Sequence, residues 1–152
     1  MYVETQFSIF LVNKPGVLAG VTGALAKAHV NLVALTLMDS MEHGVLRIVT
    51  NNAEITRQVL GKTHDRWTET DVLLLELANE PGAFASVAQA LANEHINISY
   101  AYCTGGAHGG RTTAVFKVAD LKKAEKILTA ARARSKKAPK KLKRPPGRRL
   151  PG

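Results

Sequence analysis

Two short runs carry the residue types that are best able to hold a small molecule. They are Asn13-Lys14-Pro15-Gly16 and Asn79-Glu80-Pro81-Gly82, and an alanine-rich apolar segment follows each of them. The asparagine amides can both donate and accept hydrogen bonds. If a helix begins at each glycine, its free N–H groups and its dipole attract a carboxylate. Because glycine has no side chain, a ligand can approach the backbone closely there.

A structural role explains the same residues equally well. Pro and Gly are typical of a tight turn from a strand into a helix, and Asn is typical of a helix N-cap. Pro15 suits the first helical turn, where its missing N–H costs nothing. The turn alone therefore leaves both interpretations open.

The two runs belong to a longer repeat with a period of 66 residues. Ten of the nineteen positions are identical between 13–31 and 79–97, without a gap. This identity indicates two copies of one small module. A unit of about 65 residues buries only about 60% of the surface of its unfolded chain, so we expect the copies to pack against each other or against a second chain.

The elements that position the turns follow a β-α-β-β-α-β order. In the first copy the patterns predict strands at 5–12, 31–38, 45–50 and 66–70, a helix after the turn, and a helix at 53–60 that Asn52 caps and Gly61 closes. In the second copy they predict strands at 72–78, 97–103 and 112–118, and helices at 82–94 and after Asp120. The fold class is therefore α+β, with two tandem ferredoxin-like domains at 1–70 and 71–134. Each domain has an antiparallel sheet with helices on one face.

The second copy lacks a predicted fourth strand. Residues 135–152 are rich in Lys, Arg and Pro and show no alternating apolar pattern, which predicts a disordered tail. One sheet edge is then either open or covered by a neighbouring segment.

The net charge of +9 comes from the end of the chain. Residues 132–152 hold ten Lys and Arg and no acid, which leaves 11 basic and 12 acidic residues in 1–131. The tail could contact nucleic-acid phosphates through Lys136, Lys137, Lys140, Lys141, Lys143, Arg144, Arg148 and Arg149. No aromatic residue lies among them for base stacking, so a solubilising tail is the other interpretation.

The segments NKPGVLAGVTGALAKAHVNL and NEPGAFASVAQALANEHINI resemble the ACT domain, a regulatory module of enzymes of amino-acid metabolism. The resemblance covers roughly residues 5–131 in two tandem copies. The chain is similar to the stand-alone tandem ACT proteins and to the serine-binding regulatory domain of phosphoglycerate dehydrogenase. The resemblance implies a non-enzymatic homodimer that senses an amino acid and regulates a partner enzyme. The alternative is a nucleic-acid-associated protein that acts through its tail, with the ACT pair for dimerisation or ligand control.

The resemblance also implies where the amino acid binds. ACT domains pair side by side into an eight-stranded sheet, and the turn of one domain faces the Asn that opens its partner's second strand. The two implied sites consist of Asn13, Pro15, Gly16, Val17 and Leu18 with Asn97 and Ile98, and of Asn79, Pro81, Gly82, Ala83 and Phe84 with Asn31 and Leu32. Asn13 and Asn31 flank a helix about 20 Å long, so the turn and the Asn must come from different domains.

Two features modify this expectation. Serine-binding relatives carry a His two residues before the turn, where this chain has Leu11 and Leu77, which favours a more apolar pocket. The residues after the two glycines also differ, so the two sites are expected to be unequal. Leu18 and Phe84 are candidates for the core as well as for the site.

The remaining motifs predict no catalysis, metal or cofactor. His29 and His95 recur at the helix end, where the helix dipole favours them, and the glycine-rich run 105–110 reads as a hairpin turn. Cys103 is the only cysteine, so no internal disulfide can form. The N-terminus lacks the pattern of a signal peptide and no apolar run is long enough to span a membrane. We therefore expect a cytoplasmic protein without a membrane partner.

Overall fold

The computed structural model describes residues 1–38, 43–63, 66–106 and 110–137. The elements in chain order are β1 (Tyr2–Val12), α1 (Val17–Lys27), β2 (Leu32–Met38), β3 (His43–Thr50), α2 (Ala53–Thr63), β4 (Arg66–Ala78), α3 (Ala83–Asn93), β5 (Ile98–Thr104), β6 (Arg111–Val118) and α4 (Leu121–Lys137). This order confirms the two ferredoxin-like halves predicted from the sequence.

The six strands form one sheet in the order β2-β3-β1-β4-β6-β5, and every pairing is antiparallel. The expectation of two separate strands at 66–70 and 72–78 is wrong, because β4 runs through both without a break. The ladder with β1 continues across the junction through the pairs Gln6 with Thr70 and Thr5 with Asp71. Backbone pairing therefore outweighs the low strand propensity of Asp.

The pairing of β1 with β4 relates the two halves by an approximate two-fold axis. Tyr2 pairs with Leu74, and the residues 66 positions away repeat this pair as Thr68 with Ser8. The centre of the symmetry is the pair Thr5 with Asp71, which maps onto itself. Each of the two strands therefore belongs to both halves.

This sharing settles the edge that the sequence left open. The start of β1 pairs with β4 from Asp71 to Leu74, so it takes the position of a fourth strand in the second half. The same sharing explains why the chain has a sheet of six strands and not the eight-stranded sheet that the resemblance implied for two paired domains.

Two apolar cores lie on the helix side of the sheet. Alternate residues of β1 pack with α1 and α2 around the buried residues Phe7, Ile9, Leu11, Val21, Leu25, Val30, Leu46, Ile48 and Leu60. Alternate residues of β4 pack with α3 and α4 around Leu73, Leu75, Leu77, Val87, Leu91, Ile96, Ala114, Phe116, Val118, Ala124 and Leu128. Alternate strand residues therefore face the apolar stripes of the helices, as the sequence predicted.

The central part of the other face of the sheet is also buried. Its apolar residues are Ala34, Val49, Val72, Leu74 and Val115. The edge strands β2 and β5 contact each other, which shows that the sheet curls round this face. The curl encloses a polar cluster that the sequence did not reveal.

That polar cluster joins the two halves of the chain. The Gln6 amide lies on β1, is fully buried, donates to the Tyr100 hydroxyl at 2.6 Å and accepts from the Tyr102 hydroxyl at 3.0 Å. The Arg47 guanidinium of β3 lies 4.1 Å from the centre of the Tyr100 ring, a cation–π contact. Burial raises the pKa of the Tyr102 phenol, so its hydroxyl stays a hydrogen-bond donor. Strand β5 of the second half is thereby tied to β1 and β3 of the first.

The first helix of each half begins one residue later than expected. Gly16 and Gly82 are the N-cap residues, with φ of 87° and 86° and no side-chain cap. The placement of Pro15 in the first helical turn and the capping role of Asn13 are therefore wrong. The left-handed glycine redirects the chain, which leaves Pro and Asn in the turn before the helix.

Other helix ends follow the sequence more closely. The Asn52 side chain accepts from the Ile55 N–H at 3.0 Å and the Asp120 side chain from the Lys123 N–H at 2.9 Å, so both predicted caps are confirmed. Helix α2 continues through Gly61, which therefore does not close it. Helix α4 extends to Lys137, so the first three residues of the predicted tail are helical. Residues 138–152, with the other basic positions of the tail, lie outside the described residues.

We predict that Gln6→Val, which inserts the residue found 66 positions later, lowers the free energy of unfolding by about 2–3 kcal/mol, because two tyrosine hydroxyls lose their buried partner. Urea denaturation measures this loss. The triple variant with Tyr100→Phe and Tyr102→Phe should recover most of it, since no unpaired hydroxyl remains. A triple variant as unstable as Gln6→Val contradicts this account of the cluster.

Candidate ligand-binding site

The turn of the first half presents an open helix start. Gly16 has φ of 87°, and its carbonyl accepts the first bond of α1 from the Gly20 N–H at 2.9 Å. The first turn of α1 contains no acidic residue and its N-cap has no side-chain hydrogen bond. The Val17 N–H donates to the Lys14 carbonyl at 3.5 Å, so the N–H groups of Leu18 and Ala19 are the ones left for an anion.

This turn lines a cavity of about 280 Å³. The end of β1, the start of α1 and the β2–β3 hairpin surround it with Leu11, Val12, Asn13, Lys14, Val17, Leu18, Leu37, Met38 and Gly44. Its volume suits a molecule of the size of an amino acid, and its walls are mainly aliphatic. A larger and more open cleft of about 1070 Å³ lies on the side of the turn that faces β4, with Phe10, Arg66 and Trp67 in its walls.

The hairpin residues of this cavity were missed by the sequence analysis. Leu37 and Met38 are 48% and 50% exposed, and they lie at the end of β2 that faces the turn. Leu18 is half-buried against the first apolar core, so it contacts both the core and the cavity. The predicted strand order could have located these residues. Since β1 and β2 both pair antiparallel with β3, the two strands end on the same side of the sheet.

The structure does not bring the predicted partners of the turn together within one chain. In the strand order β4 and β6 lie between β1 and β5, and the cavity at the first turn has neither Asn97 nor Ile98 among its lining residues. The Asn31 N–H donates to the Asn51 side chain at 2.9 Å, and Leu32 packs on the first core. Asn97 is exposed. A seam between two chains stays a prediction.

The second turn has the same backbone and different surroundings. The Asn79 side-chain amide donates to the Gly106 carbonyl at 3.1 Å. The backbone N–H of Asn79 donates to the Gly110 carbonyl at 2.9 Å. Phe84 is 39% exposed and stacks on buried Phe116, with 5.1 Å between ring centres. Phe84 thus covers the second core on one side.

Metal-ligating side chains do not cluster in the described residues. Within 1–38, 43–63, 66–106 and 110–137, no group of three His, Cys, Asp or Glu residues could hold a metal ion. Cys103 lies exposed on β5, and desolvation raises the pKa of its thiol, which lowers the fraction of reactive thiolate. His29 and His95 have φ of 58° and 57°; they lie just beyond the helices and not in their last turn. Among the helices of that same portion, none is long and apolar enough to cross a membrane.

Comparison with known proteins relates this arrangement to a family. A family model described as an ACT domain pair matches residues 1–138. The crystal structure of protein BT0572 from Bacteroides thetaiotaomicron superposes on this chain with a TM-score of 0.79. The two sequences are 32% identical, and the alignment covers 86% of this chain and 89% of BT0572. A search of curated proteins gives no match.

Two further solved structures share the fold at lower identity. The ligand-free regulatory subunit of aspartate kinase from Thermus thermophilus is 14% identical, covers 88% of this chain and 97% of that chain, and has a TM-score of 0.64. The regulatory subunit of aspartate kinase from Thermus flavus is 16% identical in sequence and has a TM-score of 0.60. That alignment covers 86% of this chain and 91% of the subunit. Both support the architecture derived above.

We predict that Gly16→Ala and Gly82→Ala each lower the free energy of unfolding by about 1–2 kcal/mol, the cost of a left-handed conformation for a residue with a Cβ. No atom lies within 4 Å of a Cβ built at either position, so backbone strain is the only cause. Gly23→Ala, inside α1 and with equally open space, is the matched control and should stabilise by about 0.5–1 kcal/mol. Equal effects of the three changes in urea denaturation contradict the role given to the two turns.

Proposed function

The chain belongs to the ACT domain pair family, and we propose that it is a non-enzymatic regulatory protein that binds a small amino acid at a Pro-Gly turn. The observation that carries this proposal is the cavity of about 280 Å³ at the first turn, which adjoins the open N-terminus of α1. A helix start of this kind favours a carboxylate. The cavity therefore combines an anion site with apolar walls.

The lining residues assign a role to each part of an amino acid. The N–H groups of Leu18 and Ala19 bind its carboxylate, and the Asn13 amide accepts a hydrogen bond from its ammonium group. Its side chain lies against Val17, Leu37 and Met38. Because these walls are aliphatic, the ligand is an amino acid with an apolar side chain such as leucine, isoleucine, valine or methionine. Leu11, where serine-binding relatives carry His, favours the same class.

A homodimer completes the proposed site. In it the turn of one chain meets Asn97 and Ile98 of the other, as the resemblance implies for domains that pair side by side. The exposed position of Asn97 is compatible with such a contact. A ligand held between two chains stabilises that arrangement over others through its differential affinity, and the regulated partner is an enzyme that recognises the bound dimer.

A thermal-shift measurement with the twenty amino acids tests this function. At 100 times its dissociation constant a ligand stabilises the folded state by about 2.7 kcal/mol, which raises Tm by about 5–10 °C in a chain of this size. We expect the largest shifts from aliphatic amino acids and none from D-enantiomers. No shift with any of the twenty contradicts the proposal, and a shift with serine alone contradicts the apolar class.

A further inference from the structure

The same turn occurs twice in this chain, and only one of the two has a free binding face. The φ angles of Gly16 and Gly82 agree within 1°, so the backbone alone would give two equivalent sites. From the contacts around the two turns we infer that, of the two turns described by the structure, the first binds the amino acid and the second is closed by its contacts with Gly106 and Gly110. This inference rests on the proposed function and specifies its stoichiometry.

The two asparagines differ in what they contact. The Asn79 amide nitrogen donates to the Gly106 carbonyl at 3.1 Å, and the Asn79 backbone is bonded to Gly110. In the described part of the chain the Asn13 side chain makes no such bond, and Asn13 is exposed. A ligand at the second turn must therefore displace an existing hydrogen bond, whereas a ligand at the first turn makes a new one.

The backbone of Gly106 lies close to the start of β6 beside Asn79. A Cβ at Gly106 would lie 2.0 Å from the carbonyl oxygen of Arg111, so only glycine permits this approach. This close packing goes with the position of the Gly106 carbonyl, which accepts from the Asn79 side chain.

The side chains around the first turn are more apolar than those around the second. Exposed apolar residues surround the first turn, namely Phe10, Val12, Leu37 and Met38. The residues 66 positions later are Glu76, Ala78, Cys103 and Thr104. An apolar ligand side chain therefore meets four exposed apolar residues at the first turn, and at the second turn the one large exposed apolar residue among those described is Phe84, which already stacks on Phe116.

An ion pair occupies the second location. The Arg111 guanidinium donates to the Glu76 carboxylate at 3.1 Å, and Arg132 of α4 donates to the Glu76 carbonyl at 2.7 Å. These contacts tie β4, β6 and α4 together beside the second turn. They give that end of the sheet a structural function.

Isothermal titration calorimetry with L-leucine, L-isoleucine, L-valine and L-methionine tests the inference on the full chain. We expect a stoichiometry of one amino acid per chain. Asn13→Ala should weaken binding about tenfold, the factor that corresponds to one net hydrogen bond, and Asn79→Ala should change Kd less than twofold. Two sites per chain, or a loss with Asn79→Ala equal to that with Asn13→Ala, overturns the inference.

A second pair of variants keeps the test independent of folding defects. Gly16→Ala and Gly82→Ala carry the same backbone strain, so a difference between them reports on the site alone. We expect Gly16→Ala to weaken binding more than tenfold and Gly82→Ala to leave it unchanged, with circular dichroism confirming that both are folded. Equal losses overturn the inference. Binding by none of the four amino acids contradicts the proposed function itself, which separates the two failures.

Discussion

The antiparallel pairing of β1 with β4 is the constraint on which the rest of the structure depends. Its register, centred on Thr5 and Asp71, sets the approximate two-fold axis and lets two short repeats share one sheet. Each half alone would be near the size at which burial is marginal. Because each long strand pairs along both halves, neither half has an unpaired inner edge, which removes a common route to aggregation. The same pairing places the two Pro-Gly turns at opposite ends of the sheet.

The curl of the sheet then makes the two halves different. In the second half β5 carries Tyr100 and Tyr102, whose hydroxyls contact Gln6 of the first half, and the repeat equivalent of Gln6 is Val72. The polar cluster across the curled face is therefore not repeated by symmetry, since Val72 has no polar side chain to form it. At the turns the asymmetry continues, since Asn79 contacts its own hairpin and Asn13 faces a cavity. Duplication followed by such divergence allows one copy to bind and the other to stabilise the pair.

Much of this fold follows from local sequence patterns, and the rest depends on contacts between distant segments. The helical stripes, the caps at Asn52 and Asp120 and the β-α-β-β-α-β order are predictable because each depends on residues a few positions apart. The fusion of two expected strands into β4 was not predictable, since β1 supplies the pairing from more than 60 residues away. The turn stays a predicted site, and the lining role of Met38 and the contacts of Asn79 depend on how each hairpin folds back. Sequence comparison of the copies shows that they differ and cannot show which one remains open.

A titration of the ¹⁵N-labelled protein with L-leucine, followed by ¹H–¹⁵N correlation spectra, distinguishes one binding turn from two, because it reads both turns in one sample. With one binding turn, the amide signals of Gly16, Val17 and Leu18 shift and saturate together, while those of Gly82 and Ala83 stay within the range of distant residues. Shifts of equal size at both turns, or saturable shifts elsewhere with none at Gly16, would contradict the inference of one binding turn.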